Sequence, residues 1–306
     1  MRWNIDFLGK SKIFVTLSAV LVLTSIVLVA TVGFRAGVEF TGGSQFTVSF
    51  SQEVPADKLR SFLGKFSIPG KDLAATAVLQ HTTIEGKPSY VITLPLNVDN
   101  KREKEILDEI VQGLKKEFPV VGEISITSVG SQVSQELIRR TWQAILVAIL
   151  GMLVYISWRF RLSYAVGAVA ALIHDVLIAL GVCVVFHVEM SLPVIAALLT
   201  IVGYSLNDTI VIFDRVRENQ KLLRKEPMFN IINRSINQSL SRTINTSLTT
   251  LIPVVILLAF GGPVLRGFAL VMMVGVIVGT YSTIYVANPI FYWWTRAAER
   301  VRARAR

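Results

Sequence analysis

Cysteine is all but missing from these 306 residues. The single one, Cys183, lies inside an apolar run, which excludes an intrachain disulfide framework and a cysteine-based metal cluster. Charge is scarce as well. Asp, Glu, Lys and Arg make up 17% of the chain, where ordinary globular proteins carry about a quarter. What takes their place is apolar: 52% of residues are hydrophobic and mean hydropathy is +0.56. A chain of this length ordinarily folds as roughly two or three soluble domains. This composition argues against that, and the apolar residues are also unevenly spread. They gather in six runs, over 12–34, 141–158, 164–186, 194–213, 243–260 and 268–291. Each is near the ~20 residues that carry a helix across a ~30 Å hydrocarbon core. The expectation is a polytopic α-helical membrane protein with six transmembrane helices.

Lysine and arginine are almost missing from alternate connections, and that sets the expected orientation. The segment 187–193 has neither, and 261–267 has only Arg266. The other side holds Arg2, Lys10 and Lys12 before the first run and Arg159 and Arg161 between runs two and three. It also holds Arg215, Arg217, Lys221, Arg224, Lys225 and Arg234 after run four, and five arginines after run six, from Arg296 to Arg306. Both termini are therefore expected on the cytoplasmic side. The first run ends in Val32-Gly33-Phe34-Arg35 without a small-x-small cleavage site and is long enough to span, so it reads as a retained helix. Residues 35–138 hold 11 Lys and Arg against 13 Asp and Glu, a net charge of −2, which leaves +12 on the remainder. A basic excess on the inner face answers to anionic lipid rather than to nucleic acid.

The charged hundred residues after the first run read as one small α+β domain. Residues 45–50 are strand-like. Residues 55–66 have helical spacing at Leu59, Phe62, Leu63 and Phe66, with Pro55 suited to a helix start. Residues 74–82 and 90–96 are β-rich, separated by the turn Glu85-Gly86-Lys87-Pro88. Residues 100–118 form a charged amphipathic helix, and 123–129 read as a last strand. The order βαββαβ is the ferredoxin-like split unit. Many RNA binders share it, but these strands lack an aromatic stacking pair with flanking arginine, so a protein-contacting role is expected by fold analogy. The expected division is 1–34 for the N-terminus and first helix, 35–138 for the extracytoplasmic domain, 139–292 for a five-helix bundle and 293–306 for a basic tail.

The informative side chains are those in the wrong solvent. Asp175 lies 14 residues beyond Arg161 and 12 before His187, about 20 Å from either end of its helix. Asp208 lies seven residues before Arg215, roughly 10 Å inside the inner boundary. An ionised Asp at the centre of a membrane helix costs on the order of 2.5–3.5 kcal/mol. Such a residue finds a partner, reaches water or takes up a proton. Arg242 opens the fifth run on the same side as Asp208. Above it Asn245, Thr246, Thr249 and Thr250 follow at helical spacing. Asp208, Arg242, Asp175, Asn207, Asn245 and Thr246 are the candidate proton path. Taken singly, the threonines read equally as packing residues bonded to their own helix, and His174 as either a proton relay or a satisfied buried ring. Gly275 and Gly279 form a GxxxG suited to helix packing. Trp293 and Trp294 read as interfacial anchors.

Two intramembrane aspartates also raise the aspartyl-protease reading. That chemistry needs two carboxyls sharing one proton, and these sit at different depths with no Gly-x-Gly-Asp setting. The glycines of Gly37-Val38-Glu39-Phe40-Thr41-Gly42-Gly43 precede a strand rather than a helix start, so a turn is expected and not a phosphate loop. No Walker loop, Rossmann glycine pattern, zinc spacing or Ser-His-Asp arrangement is visible. No enzyme activity, cofactor or metal is expected.

The segment 202–219, VGYSLNDTIVIFDRVREN, resembles the fourth-span motif of the SecF branch of the SecD/SecF family, bacterial protein-export membrane proteins within the resistance-nodulation-division superfamily. Ser239-Leu240-Ser241-Arg242-Thr243, the loop 261–269 and Gly37–Gly43 resemble further motifs of that family, with Glu39 where Asp is more usual. The resemblance covers nearly the whole chain and includes the six-span layout. It implies pairing with SecD, a homologous six-span protein, association with the SecYEG channel, YajC and in some cases YidC, and use of the proton-motive force in late stages of export across the bacterial inner membrane. It implies that Asp208 and Arg242 share the proton path with an aspartate of SecD, and that this chain is the separate rather than the fused form. The coupling ion is expected to be H⁺, with Na⁺ left open. The rival readings are a half-unit of a small-molecule or lipid exporter of the same superfamily, against which the small outer domain argues, and a purely structural scaffold.

Overall fold

The computed structural model describes residues 4–68, 71–84, 86–96 and 100–304. Arg2, Glu85 of the expected turn and Arg306 of the tail lie outside the described residues. The chain divides into two compact units, residues 36–144 and residues 1–35 with 145–306.

The smaller unit has a four-stranded antiparallel sheet. Its strands are β1 (Gly43–Ser49), β2 (Val78–Ile84), β3 (Lys87–Leu94) and β4 (Ser125–Val129), in the order β2-β3-β1-β4. Helices α3 (Ala56–Leu63) and α5 (Lys101–Glu117) supply the two crossovers expected from the sequence. Phe46 and Val48 from β1 and Ile92 and Leu94 from β3 are fully buried. They pack with Leu59, Phe62 and Leu63 of α3 and Ile110 and Leu114 of α5. Short helix α2 (Val38–Thr41) leads into the double glycine. Gly43 has φ +128°, and a Cβ there would sit 2.5 Å from the Leu94 carbonyl oxygen, so only glycine lets β1 start this close to β3. The expected strand over 74–82 is too long. Leu73–Thr76 (α4) is a helical turn, because the Asp72 carboxyl accepts from the backbone N–H groups of Ala74 (3.0 Å) and Ala75 (3.1 Å) and caps it. The strand starts at Val78 instead.

The larger unit contains six long apolar helices, each with enough length and hydropathy to cross a membrane. They are α1 (Ser11–Val32), α6 (Ser131–Arg159), α7 (Leu162–Val185), α8 (Leu192–Leu222), α9 (Met228–Phe260) and a sixth built from α10 (Pro263–Ser282), a π-helical segment Thr283–Ala287 and α11 (Asn288–Arg304). α7 and the sixth helix are the buried centre, whereas α1, α6 and α9 expose most of their apolar surface, as lipid contact requires. Small residues do the packing. The buried residues of α1 are Ser11, Ser18 and Ser25, one every seventh position, while most of its leucines, valines and isoleucines are exposed. Gly275 and Gly279 press α10 against Ile201 and Ser205 of α8, the role expected of the GxxxG.

The runs marking spans four and five understate their helices. α8 and α9 continue past the apolar stretch as an amphipathic hairpin. Within it Asn219 donates to Ser235 Oγ (2.8 Å) and Gln238 Oε1 (2.8 Å). The N-terminal strap is bound to the same stretch of α9. Asn237 exchanges two hydrogen bonds with the backbone of Ile5, Asn233 accepts from the N–H of Phe7, and Phe7 and Leu8 are buried. The π-helical segment has a cause in Pro289. That residue lacks the N–H that would bond the Tyr285 carbonyl, and the ladder widens over the preceding turn. Asn288 Nδ2 then donates to the Thr283 carbonyl at 2.7 Å.

A Cβ at Gly167 would stand 2.6 Å from the Ala287 carbonyl oxygen at the end of the π segment, where the neighbour is backbone and cannot swing away. Gly167→Ala should therefore lower the unfolding free energy of the purified protein by about 1–3 kcal/mol. Gly203→Ala, which meets nothing within 4 Å, should leave it unchanged. Thermal unfolding in one detergent compares the two.

Candidate functional site

Asp175 and Asp208 are both buried, 0% and 2% exposed, and their surroundings differ sharply. Asp175 on α7 has three hydrogen-bond partners. His174 Nδ1 is 2.8 Å from Oδ1, Ser205 Oγ of α8 donates to Oδ2 at 2.5 Å, and Ser282 Oγ of α10 donates to Oδ2 at 2.8 Å. Its carboxyl thus joins three helices. The network continues outward: the Tyr281 ring stacks on His174 with centroids 6.1 Å apart. The Tyr281 hydroxyl donates to the Phe14 carbonyl of α1 at 2.8 Å and lies 3.0 Å from Ser18 Oγ.

Asp208 on α8 is nearly bare. Thr246 Oγ1 of α9 donates to Oδ1 at a long 3.3 Å, and Oδ2 has no hydrogen-bond partner among the described residues. An unsatisfied buried acceptor of this kind costs about 1–3 kcal/mol. Arg242, expected as its partner, is exposed and forms no ion pair with it, although its charge acts on the carboxyl through space. Neither aspartate is paired with a lysine or arginine among the described residues. Arg242 lies one turn nearer the polar end of α9 than Thr246, on the same side of the helix, and its side chain is exposed there rather than turned to Asp208. Asn207 and Asn245 are exposed too, so Asn207, Arg242 and Asn245 present polar groups on the outside of the bundle, while Asp208 and Thr246 lie further in. Thr249 and Thr250 bond to their own helix backbone, at the Asn245 and Thr246 carbonyls, as packing residues do.

The two carboxyl groups are linked through α8. Thr209, beside Asp208, donates to the Ser205 carbonyl (3.1 Å) and meets Thr283 Oγ1 of the π segment at 3.0 Å. Ser205, Ser282, Tyr281 and Thr283 were not singled out in the sequence; the available signal was a Tyr-Ser-Thr cluster inside an otherwise apolar sixth run. Asp214 pairs with Arg159 of α6 at 2.5–2.7 Å and so ties two helices, beyond the simple anchoring its boundary position implies.

A family model described as "Protein export membrane protein SecD/SecF, C-terminal" matches residues 110–297, and one described as "SecD/SecF GG Motif" matches residues 27–54. The chain belongs to the SecD/SecF family. Protein translocase subunit SecF of Petrotoga mobilis is 38% identical over 94% of this chain and 95% of its own length. The Haemophilus influenzae SecF is 38% identical over 94% and 85%. Protein translocase subunit SecDF of Thermus thermophilus is 40% identical over 95% of this chain, which spans only 39% of that longer protein. A crystal structure of the Thermus SecDF superposes with a TM-score of 0.84 at 38% identity, over 96% of this chain and 39% of that one. Family membership and six apolar helices make this a multi-pass membrane protein. The GG motif of the family contains Gly43, whose backbone angles and close approach to Leu94 account for that glycine.

Removing both hydroxyls that donate to Asp175, in Ser205→Ala/Ser282→Ala, takes away two bonds worth about 1.5–3 kcal/mol each to a charged acceptor. The double variant should unfold at a clearly lower temperature than either single variant. Equal melting of all four proteins would show that the hydroxyls contribute nothing to stability.

Proposed function

We propose that this chain is a SecF-type subunit of the bacterial Sec export machinery, coupling a transmembrane ion gradient to late steps of polypeptide translocation in partnership with SecD. The observation that carries the reading is Asp208: a carboxyl 2% exposed on an apolar helix, with one oxygen unpartnered, beside the exposed polar group Asn207, Arg242 and Asn245. A half-satisfied acid at the edge of a bundle is completed by something the bundle lacks, either a proton or groups from a second bundle. Relatives named SecDF carry a homologous segment within one longer chain, which supports SecD as that second bundle.

In this mechanism the termini are cytoplasmic, the α+β unit faces the extracytoplasmic side of the inner membrane, and H⁺ enters from that side. Protonation of Asp208 at the SecD interface removes its attraction to Arg242, and the two six-helix halves repack. Moving one charge through 100 mV releases about 2.3 kcal/mol, enough to shift a two-state outer domain that grips and releases an emerging polypeptide. Asn207, Asn245 and Thr246 line the approach, and Asp175 holds α8 in place behind it. SecYEG is the channel served, with YajC and YidC as further associates. No catalytic residue or cofactor enters the scheme.

Inverted membrane vesicles carrying the chain with SecD test this. Asp208→Asn should reduce gradient-stimulated export to the level seen after the gradient is collapsed, while insertion and copurification with SecD persist. Arg242→Ala should do the same. Export at the normal rate by Asp208→Asn would leave only a scaffold. Replacing H⁺ by a Na⁺ gradient identifies the ion. Copurification with a periplasmic adaptor in place of SecD and SecYEG would favour the exporter reading.

A further inference from the structure

The scheme above uses Asp208 and leaves the buried imidazole of His174 without a task. His174 is 5% exposed, its Nδ1 is 2.8 Å from Asp175 Oδ1, and its Nε2 is sealed from solvent with no hydrogen-bond partner among the described residues. The two serine hydroxyls donate to the other carboxyl oxygen, so Asp175 is arranged as an acceptor on both sides. With Asp175 ionised, the bond at Oδ1 is donated by Nδ1–H, which leaves the lone pair on Nε2. We propose that His174 Nε2 is a second proton-binding site of the bundle, separate from Asp208 and coupled to the packing of α1. Proton uptake takes the His174–Asp175 pair from a net charge of −1 to zero, and no bond other than N–H forms or breaks.

The coupling follows from what surrounds the ring. Tyr281 of α10 stacks on its face, and Tyr285 of the π segment lies behind, 5.3 Å from Tyr281. From α8 come Ser205 and, one turn on, Asp208. α1 brings Phe14 and Ser18, its one charged residue being Lys12 near its start. α11 meets α7 ten residues away, where Phe291 stacks on Tyr164. None of these places an acceptor on Nε2. A proton there creates a buried N–H donor with nothing to donate to, and that state gains by admitting water or an acceptor next to the ring. The element best placed to yield is α1, whose buried side chains in this bundle are three serines. α1 is also the helix whose chain continues directly into residues 36–144. A proton on His174 therefore loosens the Tyr281–Ser18 contact and, through Ser205, shifts α8 one turn from Asp208. For its consequence in export the proposal rests on the ion-coupled reading; the proton itself does not.

The chain has three histidines. His81→Gln with His187→Asn, the latter suited to the φ of +52° at that position, leaves His174 as the sole imidazole. Nitrogen-15 spectra of this protein, reconstituted in lipid with SecD, should show Nδ1 protonated throughout and Nε2 passing from bare to protonated as the pH is lowered across the range in which the protein stays folded. The same transition should appear in Asp208→Asn. A ring with one unchanging protonation state over that range, or with the proton on Nε2 alone, overturns the site. His174→Gln keeps a donor to Asp175 but binds no proton. It should move the pH midpoint of gradient-driven export by roughly half a unit or more. An unmoved profile overturns the coupling. Should Asp208→Asn export normally while Nε2 still titrates, the ion-coupled reading fails and the proton site stands.

Discussion

In a hydrocarbon medium no water completes a hydrogen bond, so every polar side chain inside a membrane bundle depends on its helical neighbours. The bundle meets that condition fully at Asp175 and half-way at Asp208. Three hydrogen-bond partners from three helices converge on Asp175, and the contacts around it hold α7, α8 and α10 in one register. One long bond reaches Asp208. The same residue type on adjacent helices thus serves as a structural knot in one place and as an unfinished site in the other. The difference lies entirely in what the neighbouring turns supply.

The packing that brings these turns together relies on residues with little or no side chain. Serines every seventh residue let α1 approach α7 and α10, and glycines at 275 and 279 let α10 approach α8. Burial of large apolar groups does not drive helices together in lipid, where outward-facing leucines are already at home. Close backbone approach and internal hydrogen bonds do. The π-helical segment belongs to the same economy of space: it is forced by Pro289, and it places Thr283 against Thr209, beside Asp208. Wide turns of this kind recur where a helix serves a site.

Much of the architecture was legible beforehand. Six apolar runs announced six spans because a helix must bring its own solvent match across the bilayer. The alternation of helical and strand patterns in residues 35–138 identified a βαββαβ sheet that the observed strand order bears out. Asp175 and Asp208 stood out because an ionised carboxylate in an apolar run is costly until it finds a partner, water or a proton. Ser205 and Ser282 did not, since hydroxyls in membrane helices usually bond to their own backbone. The neighbouring Thr209, Thr249 and Thr250 all do so. Arg242 was matched with Asp208 because spans four and five are neighbours in sequence and both residues fall on the inner side, which does not determine where a long side chain points; it is exposed, and Thr246 one turn on makes the contact. The Arg159–Asp214 pair was missed because its two members lie 55 residues apart on helices that sequence order does not make neighbours.

The linear order of residues, then, determined the number of spans, the class of the soluble unit and which acids are out of place, because each depends on local composition and period. Tertiary structure decided which acid is satisfied, which is left open, and that His174 has a sealed, unused nitrogen. Those outcomes depend on rotation about helix axes and on which helices touch. Both are set by small-residue contacts between distant segments that no local window contains.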